Sequence, residues 1–165
     1  MDDDERWITI NGRRWIKSDS SIPATFRKEL VDELMSARRA VAAAKRARDA
    51  ERLGLSRQRV RAAKGALGER GTPWWDEPNG ESLRARAEAA IGALAQHRLP
   101  DRTICPSDVA RIIGGPEWRR HMDLVRTVAA DMAARQLIDV MQRGEVITRR
   151  DWHGPVRLRS RAETD

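Results

Sequence analysis

Apolar and polar residues alternate near the N-terminus on both sides of an Asn-Gly dipeptide at residues 11–12. This pattern predicts a β-hairpin, because both central residues of a type I′ turn need a positive φ and Asn-Gly supplies them. A two-residue turn pairs Ile8 with Trp15 and Trp7 with Ile16, so each face carries an aromatic–aliphatic pair. A lone hairpin is only marginally stable in water, and we therefore expect both tryptophans to pack on the following helices. Stacking of a nucleic-acid base on either ring is the alternative.

Apolar residues then recur at spacings of three and four after Pro23, which is the pattern of an amphipathic helix. The pattern predicts a helix that reaches about Arg52, with Gly54 in the left-handed cap that ends it. Ser56 is suited to cap a second helix, which the segment from Gly68 to Pro73 ends. The two helices are expected to form an antiparallel helical hairpin.

Prolines and glycines cluster in the middle of the chain and oppose regular structure there. We therefore predict a β-hairpin and helical-hairpin domain at residues 1–75, a linker at 76–81 and a second domain at 82–161. The adjacent tryptophans Trp74 and Trp75 are expected to fill a groove between the domains. Exposure of this pair as a binding anchor is the alternative.

The second domain begins with a predicted helix from Ser82 to about His97. A short helix follows, with Pro106 at its first position. Gly-Gly-Pro at residues 114–116 then breaks the chain sharply, and an amphipathic helix is predicted over Glu117–Gln136. This order predicts a helix-turn-helix in which the longer helix is the recognition helix.

Two β-prone runs, Leu137–Met141 and Gly144–Ile147, flank a tight turn, and a further extended segment follows at Val156–Arg159. The strands and their turn are expected to form a wing beside the recognition helix. The predicted fold class is thus mainly α (α+β). It comprises an N-terminal β-hairpin and antiparallel helical hairpin, followed by a C-terminal winged helix-turn-helix.

The composition is strongly basic: 32 Lys and Arg against 25 Asp and Glu give a net charge of +7. The pI is near 10.8, and such a balance favours anionic partners, either nucleic acid or an acidic protein. Every Lys or Arg after Lys64 is Arg, and an arginine bias of this kind is typical of high-GC coding. Part of the excess charge is therefore compositional.

The segment from Arg38 to Lys64, called here the helical tip, carries ten basic residues and only two acidic ones, a net charge of +8. Arg38, Lys45 and Arg52 repeat every seven residues, so we expect one exposed ridge that grips phosphates. The alternative is a solvated helix face without a partner. The basic residues are Arg38, Arg39, Lys45, Arg46, Arg48, Arg52, Arg57, Arg59, Arg61 and Lys64.

Three arginines on the outer face of the predicted recognition helix are candidates for contacts to phosphates or guanine edges. Asp123 and Asp131 lie among them and would repel a phosphate backbone, which argues against sequence-specific reading of DNA. The predicted wing is also basic and is expected to follow the phosphate backbone or minor groove. The candidates are Arg119, Arg120 and Arg126 on the helix and Arg143, Arg149 and Arg150 in the wing.

The reactive side chains do not indicate an enzyme. The three histidines lie in separate predicted elements and the chain has a single cysteine, so neither a metal site nor an internal disulfide is expected. The Gly-Gly-Pro break lacks the spacing and the Lys of a phosphate-binding loop. No run approaches the ~20 apolar residues of a membrane helix. We expect a non-enzymatic, cytoplasmic protein without cofactor, metal or membrane partner.

The second half carries two motifs, TICPSDVAR at residues 103–111 and GPVRLR at residues 154–159. They resemble the opening and ending motifs of an uncharacterised bacterial winged-helix family, domain of unknown function 3253. The similarity covers roughly Leu83 to Arg161. Residues 6–75, which include ALGERGTPWW, are similar to the N-terminal extension of longer members. The resemblance implies a winged-helix fold and brings no established activity, cofactor or catalytic residue.

Taken together, these patterns predict a small basic binding protein that contacts DNA or RNA through the wing and the helical tip. The alternative is a protein–protein adaptor or dimerisation module, without a nucleic-acid target, that docks an acidic partner or a second copy. The mixed charge of the predicted recognition helix favours this alternative.

Overall fold

Helices dominate the computed structural model, which describes residues 2–161 and leaves Met1 and residues 162–165 outside. The α-helices are α1 (Asp3–Arg6), α2 (Ala24–Ala47), α3 (Ala50–Ala66), α4 (Gly80–His97), α5 (Pro106–Gly114) and α6 (Met122–Ala134). The strands are β1 (Trp7–Ile10), β2 (Arg13–Ile16), β3 (Ile138–Gln142), β4 (Glu145–Ile147) and β5 (Arg157–Ser160). The strands form two small antiparallel sheets, which confirms the mainly α (α+β) class.

The N-terminal hairpin has the predicted turn and register. Asn11 and Gly12 take φ values of 50° and 75°, and Ile8 is opposite Trp15. Trp7 packs edge-to-face against Trp75, with ring centroids 5.5 Å apart, whereas Trp15 meets α3 through the Lys64 ammonium. The hairpin therefore rests on a loop tryptophan as well as on a helix.

The Trp74-Trp75 pair contacts the N-terminal hairpin and the residue that follows it. The two rings meet edge-to-face at 5.4 Å, and the Trp74 indole N–H donates to the Lys17 carbonyl at 3.0 Å. Gly68, with φ +76°, lies so close to Trp74 that an added Cβ would be 3.0 Å from the Trp74 Cβ. These contacts attach the hairpin to the end of α3. That the pair also fills a groove between two domains remains a prediction.

The break between α2 and α3 lies earlier than predicted. The helix ends at Ala47, Arg48 takes a left-handed φ of 55°, and the Asp49 side chain caps α3 by accepting from the Arg52 N–H. The prediction of a break at Gly54 was wrong because an Asp cap satisfies an orphan N–H that glycine cannot, and Gly54 continues α3. The antiparallel pairing of the two helices is nonetheless observed as predicted.

Helix α4 lies at the centre of the molecule. It begins at Gly80, two residues before the predicted Ser82, because the Asn79 side chain accepts from the Ser82 N–H at 2.8 Å. It packs against α2, α3, α5, α6 and β5, and its fully buried side chains include Ile91 and Leu94. One hydrophobic cluster runs from Leu30 in α2 to Leu158 in β5. The division into domains at residues 76–81 remains a prediction.

The predicted recognition helix is interrupted. Residues Gly115–His121 form a 3₁₀ helix, and α6 begins only at Met122. Gly115 has φ +50° and Glu117 leaves helical geometry at φ −94°, ψ 16°, so the Gly-Gly-Pro break extends further than predicted. The predicted start of the preceding helix is confirmed, with Cys105 at the cap of α5 and Pro106 at its first position.

The C-terminal sheet has the order β4-β3-β5. The β3–β4 turn has two residues, Arg143 and Gly144, with φ 54° and 84°. Ile104, which precedes α5, pairs with Leu158 of β5 through two 2.8 Å hydrogen bonds and adds a bridge at that edge. The sheet therefore joins the segment before α5 to the end of the described chain.

Within residues 2–161, every helix is too short or too polar to cross a membrane.

Candidate nucleic-acid interface

The outer face of α2 carries the first basic surface. Leu30, Leu34, Ala37 and Ala44 are buried on the inner face of this helix. The helical period consequently turns two adjacent rows of cations outward. These rows are Arg38 with Lys45 and Arg39 with Arg46, and all four residues are exposed.

The turn between α2 and α3 removes Arg52 from the ridge predicted by sequence. Arg52 lies beyond the break, and its Nε is 3.4 Å from the Asp49 carboxylate. Arg38 and Lys45 remain on one face of α2, whereas Arg52 lies in the first turn of α3. The prediction of a single three-residue ridge was therefore wrong, because Asp49 ends the shared helical period.

A second cation of the helical tip, Arg59, is engaged in a buried ion pair. Arg59 of α3 donates from Nε and Nη2 to the two Glu33 carboxylate oxygens, at 2.8 and 3.0 Å, and Nη2 also reaches the Ser36 hydroxyl at 3.1 Å. Glu33 is only 2% exposed, so Arg59 is the counterion of a carboxylate inside the α2–α3 contact. Arg59 fixes the pairing of the helices and is not available to an external phosphate.

Eight basic side chains at the helical tip form no ion pair with another residue of the described range 2–161. Their like charges lie on α2, on α3 and in the turn between them, and between residues 38 and 64 only Asp49 and Glu51 are acidic. The resulting positive field is uncompensated by the fold. The eight are Arg38, Arg39, Lys45, Arg46, Arg48, Arg57, Arg61 and Lys64.

The β3–β4 turn and the loop before β5, both parts of the predicted wing, carry a smaller basic surface. Arg143 lies at the β3–β4 turn, and Arg149 and Arg150 lie in the loop that leads to β5. All three are exposed, and none pairs with a carboxylate among the described residues. The Gln142 side chain donates to the His153 carbonyl at 2.6 Å and so holds the base of this loop.

Arg126, a predicted contact residue, is engaged by groups of the loop before β5. Its guanidinium donates to the carbonyls of Trp152 and Gly154 at 3.1 and 3.2 Å and lies over the Trp152 ring at 5.7 Å. Trp152 is buried, so Arg126 fastens the loop of the predicted wing to α6. This role could not be predicted from the sequence, because the acceptors are backbone carbonyls 26 and 28 residues away.

Arg119 and Arg120 lie on the 3₁₀ segment and not on a recognition helix. Arg120 forms an exposed ion pair with Glu117 at 2.6 Å. Arg119 lies over one part of the Trp118 ring at 4.5 Å, and Arg111 of α5 lies over the same ring at 4.8 Å. Arg111 is a basic residue of this cluster that the sequence analysis missed.

The two aspartates that argued against DNA reading differ in environment. Asp131 is paired with Arg84 of α4 at 2.6 Å, which compensates its charge, whereas Asp123 is exposed without an ion pair in residues 2–161. The outer face of α6 is therefore close to neutral. The structure brings together the cations of the helical tip, but it does not assemble Arg119, Arg120 and Arg126 into one binding face.

Among residues 2–161, no group of three or more His, Cys, Asp or Glu side chains has the arrangement needed to hold a metal ion.

Residues 84–161 match a family model described as Protein of unknown function (DUF3253). The matched segment runs from α4 through β5 and includes the predicted wing, whereas the helical tip lies outside it. The curated proteins contain no match to the chain.

Proposed function

We propose that this chain, whose residues 84–161 match the DUF3253 family model, is a non-enzymatic cytoplasmic protein that binds nucleic acid. In this proposal the helical tip makes the main contacts to phosphates, and Arg143, Arg149 and Arg150 make a smaller set. Its ligand is DNA or structured RNA bound through the backbone.

The observation that carries the proposal is the set of eight cations at the helical tip without ion-pair partners in the described chain. Self-repulsion among them destabilises the isolated protein, and an anionic ligand relieves it. Nucleic acid suits this surface because its phosphates are regularly spaced and release bound counterions when Lys or Arg replaces them.

The order of elements in the second half also supports the proposal. A helix, a bridging strand residue, three further helical segments and an antiparallel sheet follow one another, and Ile104 pairs with Leu158 at the edge of the sheet. We interpret this order as a winged helix-turn-helix whose wing consists of β3, β4, β5 and their connections. Arg143 at the tip of the β3–β4 turn is then placed to follow a phosphate backbone.

We propose binding without strong sequence preference. Bidentate contacts from arginine to guanine edges are the commonest specific readout. Arg126 is held by carbonyls and Arg119 by an indole ring, so neither guanidinium presents a free fork to a base. Phosphate contacts from the helical tip carry affinity but no sequence information.

The test is fluorescence anisotropy with labelled duplex DNA and a labelled RNA stem-loop over a range of salt concentrations. Lys45→Ala/Arg46→Ala is expected to weaken binding more than Arg143→Ala/Arg149→Ala, because it lies in the denser field. The proposal fails if the wild-type protein binds neither probe, or if its affinity is insensitive to salt.

A second candidate function is a protein–protein adaptor or dimerisation module with an acidic partner or a second copy. The observation that favours it is the exposure of Ile8, Ile10 and Trp15 on the N-terminal hairpin. Sedimentation equilibrium tests the homotypic form: a dimer that dissociates on Ile10→Asp, in a protein without measurable nucleic-acid affinity, supports the adaptor.

A further inference from the structure

One face of the N-terminal hairpin is apolar and open. The strand register places Ile8, Ile10 and Trp15 together, because residues 8 and 10 of β1 alternate with their neighbours and Ile8 is opposite Trp15. Their exposures are 43%, 51% and 42%. The opposite face carries Trp7, which is already covered by Trp75. A two-stranded hairpin has little stability to spare, so an uncovered aromatic and two isoleucines on it indicate a ligand surface.

A row of cations on α3 leads to this face. Arg57, Arg61 and Lys64 are spaced by four and three residues, so they lie on one side of the helix. The row spans about 10 Å of helix rise from Arg57 to its end. There the Lys64 ammonium lies 4.8 Å from the centroid of the Trp15 ring. The row therefore connects the helical tip to the exposed indole.

The local charges are basic on this side of the hairpin. Arg13 shares the open face with Trp15, since it is opposite Ile10 in the register. The acidic helix α1 precedes β1, and its Asp3 pairs with Arg14 at 3.2 Å. Arg14 lies over the Trp7 ring at 4.6 Å and so belongs to the covered face. The open face combines an aromatic surface with positive charge on two sides.

We propose that this face binds an unpaired stretch of nucleic acid, with a base stacked on the exposed part of Trp15 and adjoining phosphates on Lys64, Arg61 and Arg57. The inference rests on the proposed function and deepens it by naming single-stranded nucleic acid as the ligand class. A base presents a flat π-face to the indole, and the backbone presents negative charge to the cations.

The chemistry separates this ligand from the other occupants of an apolar surface. Bases in a duplex are already stacked and cannot reach Trp15 without being unpaired. A purely apolar protein partner would bring Arg13 and Lys64 into a dry interface without counterions, which costs free energy. A single strand supplies both the aromatic surface and the counterions.

The experiment compares two labelled probes of about 12 nucleotides, a length within the usual site sizes of such surfaces. One is single-stranded oligouridylate and the other is a blunt duplex of the same length. Trp15→Ala is expected to weaken binding of the single strand about tenfold and to change duplex binding less than about twofold, since stacking on one aromatic ring contributes an effect of this size.

Two matched variants show whether the hairpin is intact. Trp15→Phe keeps a ring and is expected to retain most of the affinity for the single strand. Thr9→Ala lies on the same hairpin but on the opposite face, and it is expected to behave as wild type. If Thr9→Ala loses as much affinity as Trp15→Ala, general loss of the hairpin explains the result and the inference is overturned.

A second measurement leaves the protein unchanged. A strand whose bases are replaced by abasic units keeps its phosphates, so wild-type protein is expected to bind it about tenfold more weakly than oligouridylate. Equal binding of the two strands overturns the inference. If duplex binding is salt-dependent while Trp15→Ala has no effect on the single strand, this inference fails and the proposed function stands. If wild-type protein binds no probe, the proposed function itself fails.

Discussion

The helical tip and the C-terminal half both owe their charge to basic residues, but these residues have different partners. At the helical tip, eight cations form no ion pair within residues 2–161. In the C-terminal half, several arginines are bound to carboxylates, carbonyls or a hydroxyl of the same chain. These are Arg126, Arg135, Arg157, Arg159 and Arg161.

This difference shows that a count of basic residues overestimates the number of cations that are available to a ligand. Arg159 and Arg161 both donate to Asp139, and Arg157 donates to the Thr103 hydroxyl and carbonyl. These contacts fix β5 to its neighbours and neutralise part of the local field. Cations without such contacts remain for a ligand, and most of them lie outside the segment matched by the family model.

The largest expected effect is a loss of stability when Arg59 of α3, the counterion of buried Glu33, is replaced. Arg59→Ala leaves the Glu33 carboxylate buried without its counterion, so we expect a loss of about 3 kcal/mol in the free energy of unfolding by urea. Arg57→Ala, on the same helix and unpaired in the described chain, is the control and should change stability by less than about 0.5 kcal/mol. If both variants lost the same free energy of unfolding, the ion pair of Arg59 would not distinguish it from the unpaired Arg57.

The next effect is on binding, at the outer face of α2. Lys45→Ala/Arg46→Ala removes two exposed cations and is expected to weaken binding to duplex DNA about tenfold at moderate salt, with little change in stability. Anisotropy titration and urea unfolding of the same preparation separate the two effects. A weaker affinity that accompanies an equivalent loss of stability would point to unfolding instead of phosphate contacts.

A smaller effect on stability is expected for the arginine that fastens the predicted wing. Arg126→Ala loses the hydrogen bonds to the Trp152 and Gly154 carbonyls and should lower the free energy of unfolding by about 1 kcal/mol. Arg149→Ala, in the same loop and without an ion pair in residues 2–161, should leave the free energy of unfolding unchanged. It should reduce the slope of log binding constant against log salt concentration by about 1, the effect of one lost phosphate contact. The reverse pattern would show that Arg126 faces the ligand.

The smallest effect concerns pH. Two hydrogen bonds from Arg98, at 2.9 and 3.0 Å, lower the pKa of Glu29 below its ordinary value. A lowered pKa in the folded state stabilises the protein above the ordinary glutamate pKa, and this stabilisation is lost as the pH falls through the lowered value. Because Asp108 still pairs with Arg98 and the Gln amide oxygen can still accept one of its hydrogen bonds, Glu29→Gln should cost less than about 1 kcal/mol at neutral pH.

Urea unfolding at neutral and acidic pH checks this prediction. The stability difference between wild type and Glu29→Gln should narrow as the pH falls, because protonated Glu29 and Gln both lack the charge that Arg98 attracts. A difference that stays constant from neutral pH to acid would contradict the ion pair.

Features encoded by neighbouring residues could be predicted from the sequence. Asn11-Gly12 specifies its own turn, and the Pro106 start of α5 needs no distant partner. The break between α2 and α3 was misplaced because Gly54 and Asp49 both fit a helix boundary, and only the Asp49 side chain satisfies an N–H there.

The use of each arginine could not be predicted, because its partners are distant in sequence. Arg59 meets Glu33 from 26 residues away, and Arg98 meets Glu29 from 69 residues away. The pattern of charges along the chain therefore indicated where cations concentrate. It did not indicate which of them form ion pairs or hydrogen bonds within the folded chain. Tertiary packing makes that selection.

The central claim is that the unpaired cations of the helical tip bind phosphates, and the salt dependence of affinity tests it most directly. The logarithm of the binding constant for duplex DNA is plotted against the logarithm of salt concentration for wild type and for Arg38→Ala/Arg39→Ala/Lys45→Ala/Arg46→Ala. Each lost phosphate contact lowers the slope by about 0.9. We predict a steep slope for wild type and a slope shallower by roughly 3 to 4 for the variant. Equal slopes for the two proteins would contradict the claim.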